Sequence, residues 1–201
     1  MCIRDSAVAI KVIANHRRWD ERTQNRFATE MKNIGGLNHP NIVVAHDARE
    51  VDGLAVLVTE FIDGMDASEI VKRTGPLSVA DASRIVQSVC KALEYIDSQG
   101  LIHRDIKPSN IMIDKSGSVK LLDLGLARLQ SDGDGEFTAT GQAVGTADYV
   151  SPEQINDGHN LDARTDIYGL GCTFYKLLCG QAPFCNCRIS NGLCKNERTR
   201  F

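Results

Sequence analysis

From residue 7 onward the apolar positions form short β-branched runs separated by longer helical stripes. Ala7–Ile13 reads Ala-Val-Ala-Ile-Lys-Val-Ile, which predicts a strand interrupted by one lysine. Phe27, Met31, Ile34 and Leu37 recur at helical spacing, predicting a helix from about Asp20 to Asn33 that Gly35-Gly36 stop. Leu54–Phe61 predicts a second strand, which leaves through a polar, Gly-containing connection from Phe61 to Gly64. Leu77–Gly100 is the clearest helix. Ser78 suits its N-cap, Asp81 takes the capping-box position, and Val79, Ala82, Ile85, Val86, Val89, Leu93 and Ile96 form its stripe. Ile111–Ile113 and Val119–Leu122 are short apolar runs around a turn signal at Asp114–Ser118, which predicts a hairpin. Asp162–Gly180 predicts a further helix, apolar after Asp166 and therefore expected to be buried and central. Cys185–Phe201 shows no periodicity and is expected to be poorly ordered.

The hairpin carries the chemistry. His103, Arg104, Asp105, Lys107 and Asn110 precede its first run and Asp123 follows its second, so closing the turn brings Asn110 near Asp123. Phosphoryl transfer needs a carboxylate to orient a hydroxyl, a further carboxylate and an amide oxygen to hold Mg²⁺, and a cation against developing phosphate charge. Asp105 can serve as the first, Asn110 and Asp123 as the metal ligands, and Lys107 as the cation. Each residue taken alone also fits a loop whose Asp, Asn and Ser cap turns; the whole pattern at this spacing fits the chemistry better.

This stretch, Ile-His-Arg-Asp-Ile-Lys-Pro-Ser-Asn followed by Asp-Leu-Gly, resembles the catalytic and magnesium loops of eukaryotic-type protein kinases of bacteria. Lys107, two residues after Asp105, resembles the Ser/Thr branch. Leu124 replaces the commoner Phe and can fill the same apolar slot. The resemblance covers residues 7–184. It implies an α+β, two-lobed protein-kinase-like fold: a small β-rich lobe and hinge over 7–62, lacking its first strands, and a helical lobe over 63–184, lacking its distal helices. Residues 185–201 would be a non-homologous tail.

Residue by residue, the resemblance implies that Lys11 positions the ATP phosphates and is held by Glu30, although Glu30 alone also reads as a solvated helix charge. It places Thr59 behind the adenine, Glu60–Ile62 at the hinge whose backbone pairs with it, and Ala9 and Met112 among the nucleotide contacts. The polar stretch after Asp123 resembles an activation segment. Thr138 and Thr140 would be phosphorylation sites answered by Arg104, or else incidental threonines of a loop. Thr146 would bond Asp105 and Lys107, within a Gly145–Glu153 segment that carries Ser151 where Ala is usual. Asp166 would accept backbone N–H groups of the catalytic loop. Glu153 would lack the Arg that distal helices supply and stand as a buried carboxylate without its partner.

Composition sets the remaining bounds. With 201 residues the chain can bury one core, and hydrophobic residues at 42% with charged residues at 24% are ordinary for a globular protein. A net charge of −3 gives no basic field, so no nucleic-acid partner is expected. There is no secretory signal and no run long enough to span a bilayer. The expected compartment is the cytoplasm, with room for a membrane anchor elsewhere in a full-length protein. Of the seven cysteines, Cys2, Cys90, Cys172 and Cys179 read as small buried hydrophobes. Cys185, Cys187 and Cys194 lack the His or paired spacing of a zinc site.

The expected activity is ATP- and Mg²⁺-dependent phosphorylation of Ser/Thr in protein substrates, with a homodimer possible during autophosphorylation. Two rivals share parts of the pattern: a small-molecule phosphotransferase and a non-catalytic pseudokinase scaffold. Met1–Ser6 (Met-Cys-Ile-Arg-Asp-Ser) resembles a translated sequencing-adapter sequence, and an intact reading frame with these codons in unamplified DNA would refute that. The Gly-rich loop over the phosphates would lie N-terminal to Ala7. The 201 residues alone are therefore expected to be weakly stable and nearly inactive; a sharp two-state melt together with robust phosphorylation by this chain would overturn that expectation.

Overall fold

The computed structural model describes residues 7–13, 35–51, 54–124, 147–156, 161–183, 188–190 and 193–195. Three strands form the small sheet: β1 (Val8–Ile13), β2 (Ala45–Val51) and β3 (Leu54–Glu60), in antiparallel order β1-β3-β2. Their β-branched composition suits a pleated surface. Register sets Ala9 opposite Thr59 and Lys11 opposite Leu57, so Lys11 and Ala9 share a face while Val8, Ile10 and Val12 share the other. The predicted helix over 20–33 lies outside the described residues.

A second sheet has the order β4-β5-β6, with β4 (Gly64–Asp66), β5 (Ile111–Asp114) and β6 (Val119–Leu121). The hairpin β5–β6 closes through Asp114, whose carboxylate accepts the backbone N–H groups of Ser116 and Ser118 at 2.8 and 2.9 Å. β4 falls where the sequence suggested only a connection. Gly64 makes it possible, because a Cβ there would run into the carbonyl of Ile113. α1 (Ala67–Thr74) follows directly, capped by Asp66, whose side chain accepts the Glu69 N–H at 2.9 Å. The sequence patterning gives no expectation of this helix.

α2 (Val79–Ser98) begins at Ser78, whose Oγ accepts the Asp81 N–H at 3.1 Å and donates to the Asp81 carboxylate at 2.7 Å. Its buried residues Ala82, Ile85, Val89, Ala92 and Ile96 repeat at helical spacing. α3 (Pro152–Asn156) is short. α4 (Ala163–Cys179) is capped by Asp162 and ended by Gly180 at φ 77°, a left-handed geometry that favours glycine. The helix expected to be buried and central is buried along one side, and α4 leaves its other face exposed. Asp166, Gly169, Leu170, Thr173 and Leu177 form the buried stripe, while Ile167 and Tyr175 fall on the other face and are exposed. The cysteine expectation also splits: Cys172 is buried, but Cys90 and Cys179 are exposed because their helix positions face away from the core. Near the chain end, β7 (Arg188–Ser190) pairs antiparallel with β8 (Leu193–Lys195).

The segment before β2 ties the small sheet to the rest. Asn41 and Val43 run alongside β6: Leu121 N–H donates to Asn41 O at 2.9 Å and Val43 N–H to Leu121 O at 3.0 Å. Asn41 Nδ2 adds a bond to Val119 O at 2.8 Å, and His39 stacks on Tyr95 with ring centroids 5.3 Å apart. Ile42, Ile111, Leu121 and Leu124 continue into one core with Ile85, Val89 and Ile96 of α2. Leu121, at 2% exposure, sits where these elements meet. Leu121→Ala should destabilise the fold by about 2–5 kcal/mol, read as a lowered denaturant midpoint at constant slope; a cost under about 1 kcal/mol would show that this junction is not part of the core.

Candidate active site

The site is assembled on the loop 101–107, the turn Pro108–Asn110 and the residues flanking β6. His103 is fully buried. Its Nδ1 accepts the Asp105 N–H at 3.3 Å, which assigns the ring proton to Nε2, and Nε2–H donates to Leu122 O at 2.7 Å. One imidazole therefore joins the residue carrying the first carboxylate to the residue before the second.

Asp166, at the start of α4 and 4% exposed, accepts the backbone N–H groups of His103 and Arg104 at 2.8 and 2.7 Å. Burial pushes its carboxyl above the usual range; the His103 ring and the two N–H donors offset part of that rise. The bonds hold Arg104 at φ 68°, a left-handed conformation that is costly for a side-chain-bearing residue. The Arg104 carbonyl in turn accepts from Gln154 Nε2 at 2.8 Å, which ties the loop to α3.

Asp105, Lys107 and Asn110 form one hydrogen-bonded group. Lys107 Nζ lies 2.8 Å from Asp105 Oδ2, and Asn110 Nδ2 donates to Asp105 Oδ2 at 2.9 Å and to its carbonyl at 2.8 Å. With its nitrogen committed to Asp105, the planar amide of buried Asn110 turns its oxygen the other way. The Asn110 carbonyl accepts the Leu122 N–H at 2.8 Å, which sets Asn110 beside the residue preceding Asp123. Asp123 is the second left-handed side-chain-bearing residue, at φ 59°, and its Oδ2 meets Lys11 Nζ at 2.5 Å. The structure thus gathers Asp105, Lys107 and Asn110 into one group and Lys11 and Asp123 into a pair, with the Leu122 N–H bond to the Asn110 carbonyl setting the two side by side. An amide oxygen and a carboxylate are hard donors of the kind that Mg²⁺ takes, so the residues present fit that ion.

The remaining predicted residues divide. Ala9 and Thr59 face each other in register near the end of central β3, and Thr59 is half-buried. Ile62 is half-buried in the connection to β4, and Met112 is half-buried on β5, opposite Lys120. Glu60 ends β3, but its side chain turns toward Val44 and Lys120. Glu30, Thr138, Thr140 and Thr146 lie outside the described residues. Glu153 departs from the expectation of an orphaned carboxylate. It is half-buried, Thr165 Oγ1 donates to it at 3.0 Å, and its own backbone N–H leads the bonds that hold its carboxyl below the usual range. Gln154, Thr165 and Lys120 were missed by the sequence reading, since a polar residue at a helix start or on a strand carries no pattern of its own.

A small antiparallel sheet offering a lysine, joined to a helical body offering the Asp105–Asn110 loop and Asp123, is the architecture of a protein-kinase-type phosphotransferase. The family model described as the protein kinase domain matches residues 2–200, and the chain belongs to that family, whose members use ATP and Mg²⁺. It is 41% identical over 181 residues to the serine/threonine-protein kinase PknB of Mycolicibacterium smegmatis, covering 88% of this chain and 29% of that protein. A probable serine/threonine-protein kinase of Corynebacterium efficiens is 42% identical, with 88% and 27% covered. The chain thus spans under a third of the length of these relatives. Among solved structures, the PknI kinase domain of Mycobacterium tuberculosis superposes with a TM-score of 0.71 at 28% identity, covering 88% of this chain and 65% of that one. Rad53 bound to AMP-PNP gives 0.69 at 30%, covering 88% and 42%.

The raised carboxyl of Asp166 has a sign that can be measured. Because its folded-state value lies above the unfolded value of about 4, its contribution to stability is most favourable below that value and declines as pH rises toward the folded one. Asp166→Asn removes this dependence and one charge-assisted bond, so the variant should be less stable by about 1.5–3 kcal/mol. Denaturant unfolding at pH 7 and pH 5 should show the gap between wild type and variant widening at the lower pH; a gap that narrows would reverse the assignment.

Proposed function

We propose that the complete protein transfers the γ-phosphoryl group of ATP to Ser/Thr hydroxyls of protein substrates. The observation that carries this reading is two sets of contacts, Lys11 with Asp123 and Asn110 through Asp105 to Lys107, held side by side by the Leu122 N–H bond to the Asn110 carbonyl. The names of the curated relatives, all serine/threonine-protein kinases, support the substrate class. The nucleotide analogue bound to Rad53 supports the nucleotide class.

In this reading Asp105 orients the acceptor hydroxyl and receives its proton, and the Asn110 amide holds the Asp105 carboxylate in place. Lys107, already beside Asp105, offsets charge on the phosphoryl group in flight. Lys11 leaves Asp123 for the α- and β-phosphates, with Glu30 as its counter-ion. Asn110 Oδ1 and Asp123 would hold Mg²⁺, which would supply neutralisation of the phosphate charge. Ala9, Thr59, Met112 and the backbone of Glu60–Ile62 receive the adenine. Thr146 bonds Asp105 and Lys107 from the substrate side. Phosphates on Thr138 and Thr140, placed by autophosphorylation within a homodimer, order their segment through Arg104. The kinase lobes comprise residues 7–62 and 63–184, and the domain works in the cytoplasm.

In the full-length protein, Asp105→Asn should lower γ-phosphate transfer at least ~100-fold, the scale of general-base assistance. Turnover left intact would remove Asp105 from that role. Transfer measured in parallel to a generic protein substrate and to an amino-alcohol separates the protein kinase from a small-molecule phosphotransferase, and absence of both with nucleotide still bound would indicate a scaffold.

A further inference from the structure

Among the described residues, two ion pairs join the small sheet to β6 and the residues that follow it. Lys11–Asp123 is one; Glu60–Lys120, with Nζ 2.6 Å from Oε1, is the other. They differ in what the reaction asks of them. Lys11 and Asp123 are each claimed by phosphate or metal in the proposed function, so their pair has to open when nucleotide binds. Neither Glu60 nor Lys120 presents its side chain to that chemistry, so their pair can persist throughout.

The geometry suits a clamp. Glu60 is the last residue of β3, and its Oε1 accepts two donors from different parts of the fold: the Val44 N–H at 2.9 Å and Lys120 Nζ. The Glu60 N–H also donates to Val44 O at 3.0 Å. Lys120 lies in the middle of β6, between buried Val119 and Leu121 and three residues before Asp123. The side chains retain 27% and 19% exposure, so the pair is screened less than a surface one, and removing either partner strands a half-buried charge. The two hydrogen bonds between Leu121 and Asn41–Val43 run alongside, giving β6 a backbone attachment next to the charged one.

We propose that Glu60 and Lys120 are a positioning pair that sets the distance between the nucleotide-binding edge of β3 and Asp123. This rests on the kinase reading for its consequence in catalysis, while the clamp itself is a property of the fold. Bound nucleotide spans from that edge to the metal ligands, so loss of the clamp should weaken its hold before it slows the chemical step.

The test uses the full-length protein with Glu60→Gln, Lys120→Met and the double variant. Each single change should raise KM for ATP–Mg²⁺ by about 3-fold to 10-fold, more than it lowers kcat, and the double variant should be no worse than either single. Lys120→Arg, which keeps the charge, should stay near wild type. Additive losses in the double variant, or an unchanged KM, would overturn the proposal. Amide exchange of Val44 and Leu121 gives a second readout, expected to quicken about tenfold in Lys120→Met. Should wild type transfer no phosphate, the kinase reading falls and exchange alone decides: faster exchange upholds the clamp and unchanged exchange ends it.

Discussion

The carboxylate of Asp166 is the constraint on which the site depends. It is buried at the first turn of α4 and is bonded to two consecutive backbone N–H groups of the loop below it. Burying a charge is expensive unless donors compensate, and here a helix start and two peptide N–H groups do so together. What the arrangement yields is geometry. It holds Arg104 in a left-handed conformation, and that turn of the chain leaves the Asp105 side chain partly exposed while His103 is fully buried. Gly169, one turn further along α4, lets the helix approach Ile106, since a Cβ there would stand 3.0 Å from the Ile106 carbonyl. Thus α4 grips the loop from both sides of Asp105.

His103 extends this control to the far side of the site. Its two nitrogens connect the backbone of Asp105 to the backbone of Leu122, and the Asn110 carbonyl takes the Leu122 N–H. Asp105 and Asp123 come from segments separated by a hairpin, yet their spacing is governed by one rigid ring and one backbone bond. A ring has no internal torsions, so this link is stiffer than an ion pair between long side chains. The contrast with Lys11 is instructive. Its side chain is 46% exposed, and its bond to Asp123 is the one that the proposed nucleotide binding would open.

Much of this was legible in the sequence, for reasons that differ by residue. α2 and α4 announce themselves through long apolar periods and through Ser78, Asp162 and Gly180 at their ends. The β5–β6 hairpin follows from two β-branched runs around Asp114–Ser118. Asp105, Lys107, Asn110 and Asp123 stand at spacings that a short hairpin must bring together. β4 and α1 were not legible, because a three-residue strand has no period and α1 follows it without an intervening loop. The exposed face of α4 was not legible either. Ile167 and Tyr175 are as apolar as their buried neighbours, and only the packing partner decides which stripe faces inward.

Polar contacts between distant segments are the least readable class, and Glu60 illustrates why. In the sequence it is an acid at a strand end, where its backbone has an obvious task and its side chain none. In the fold the strand's twist and the path of residues 41–44 carry that side chain to Lys120, 60 positions away. Nothing local selects the partner; the core formed by Ile42, Leu57 and Leu121 does, by setting which strands lie side by side. The apolar pattern therefore acts first, and the charged contacts are consequences of the register it imposes. That order explains why candidate site residues clustered on one hairpin can be read directly, while the residues that hold the hairpin against the small sheet emerge only once the core is assembled.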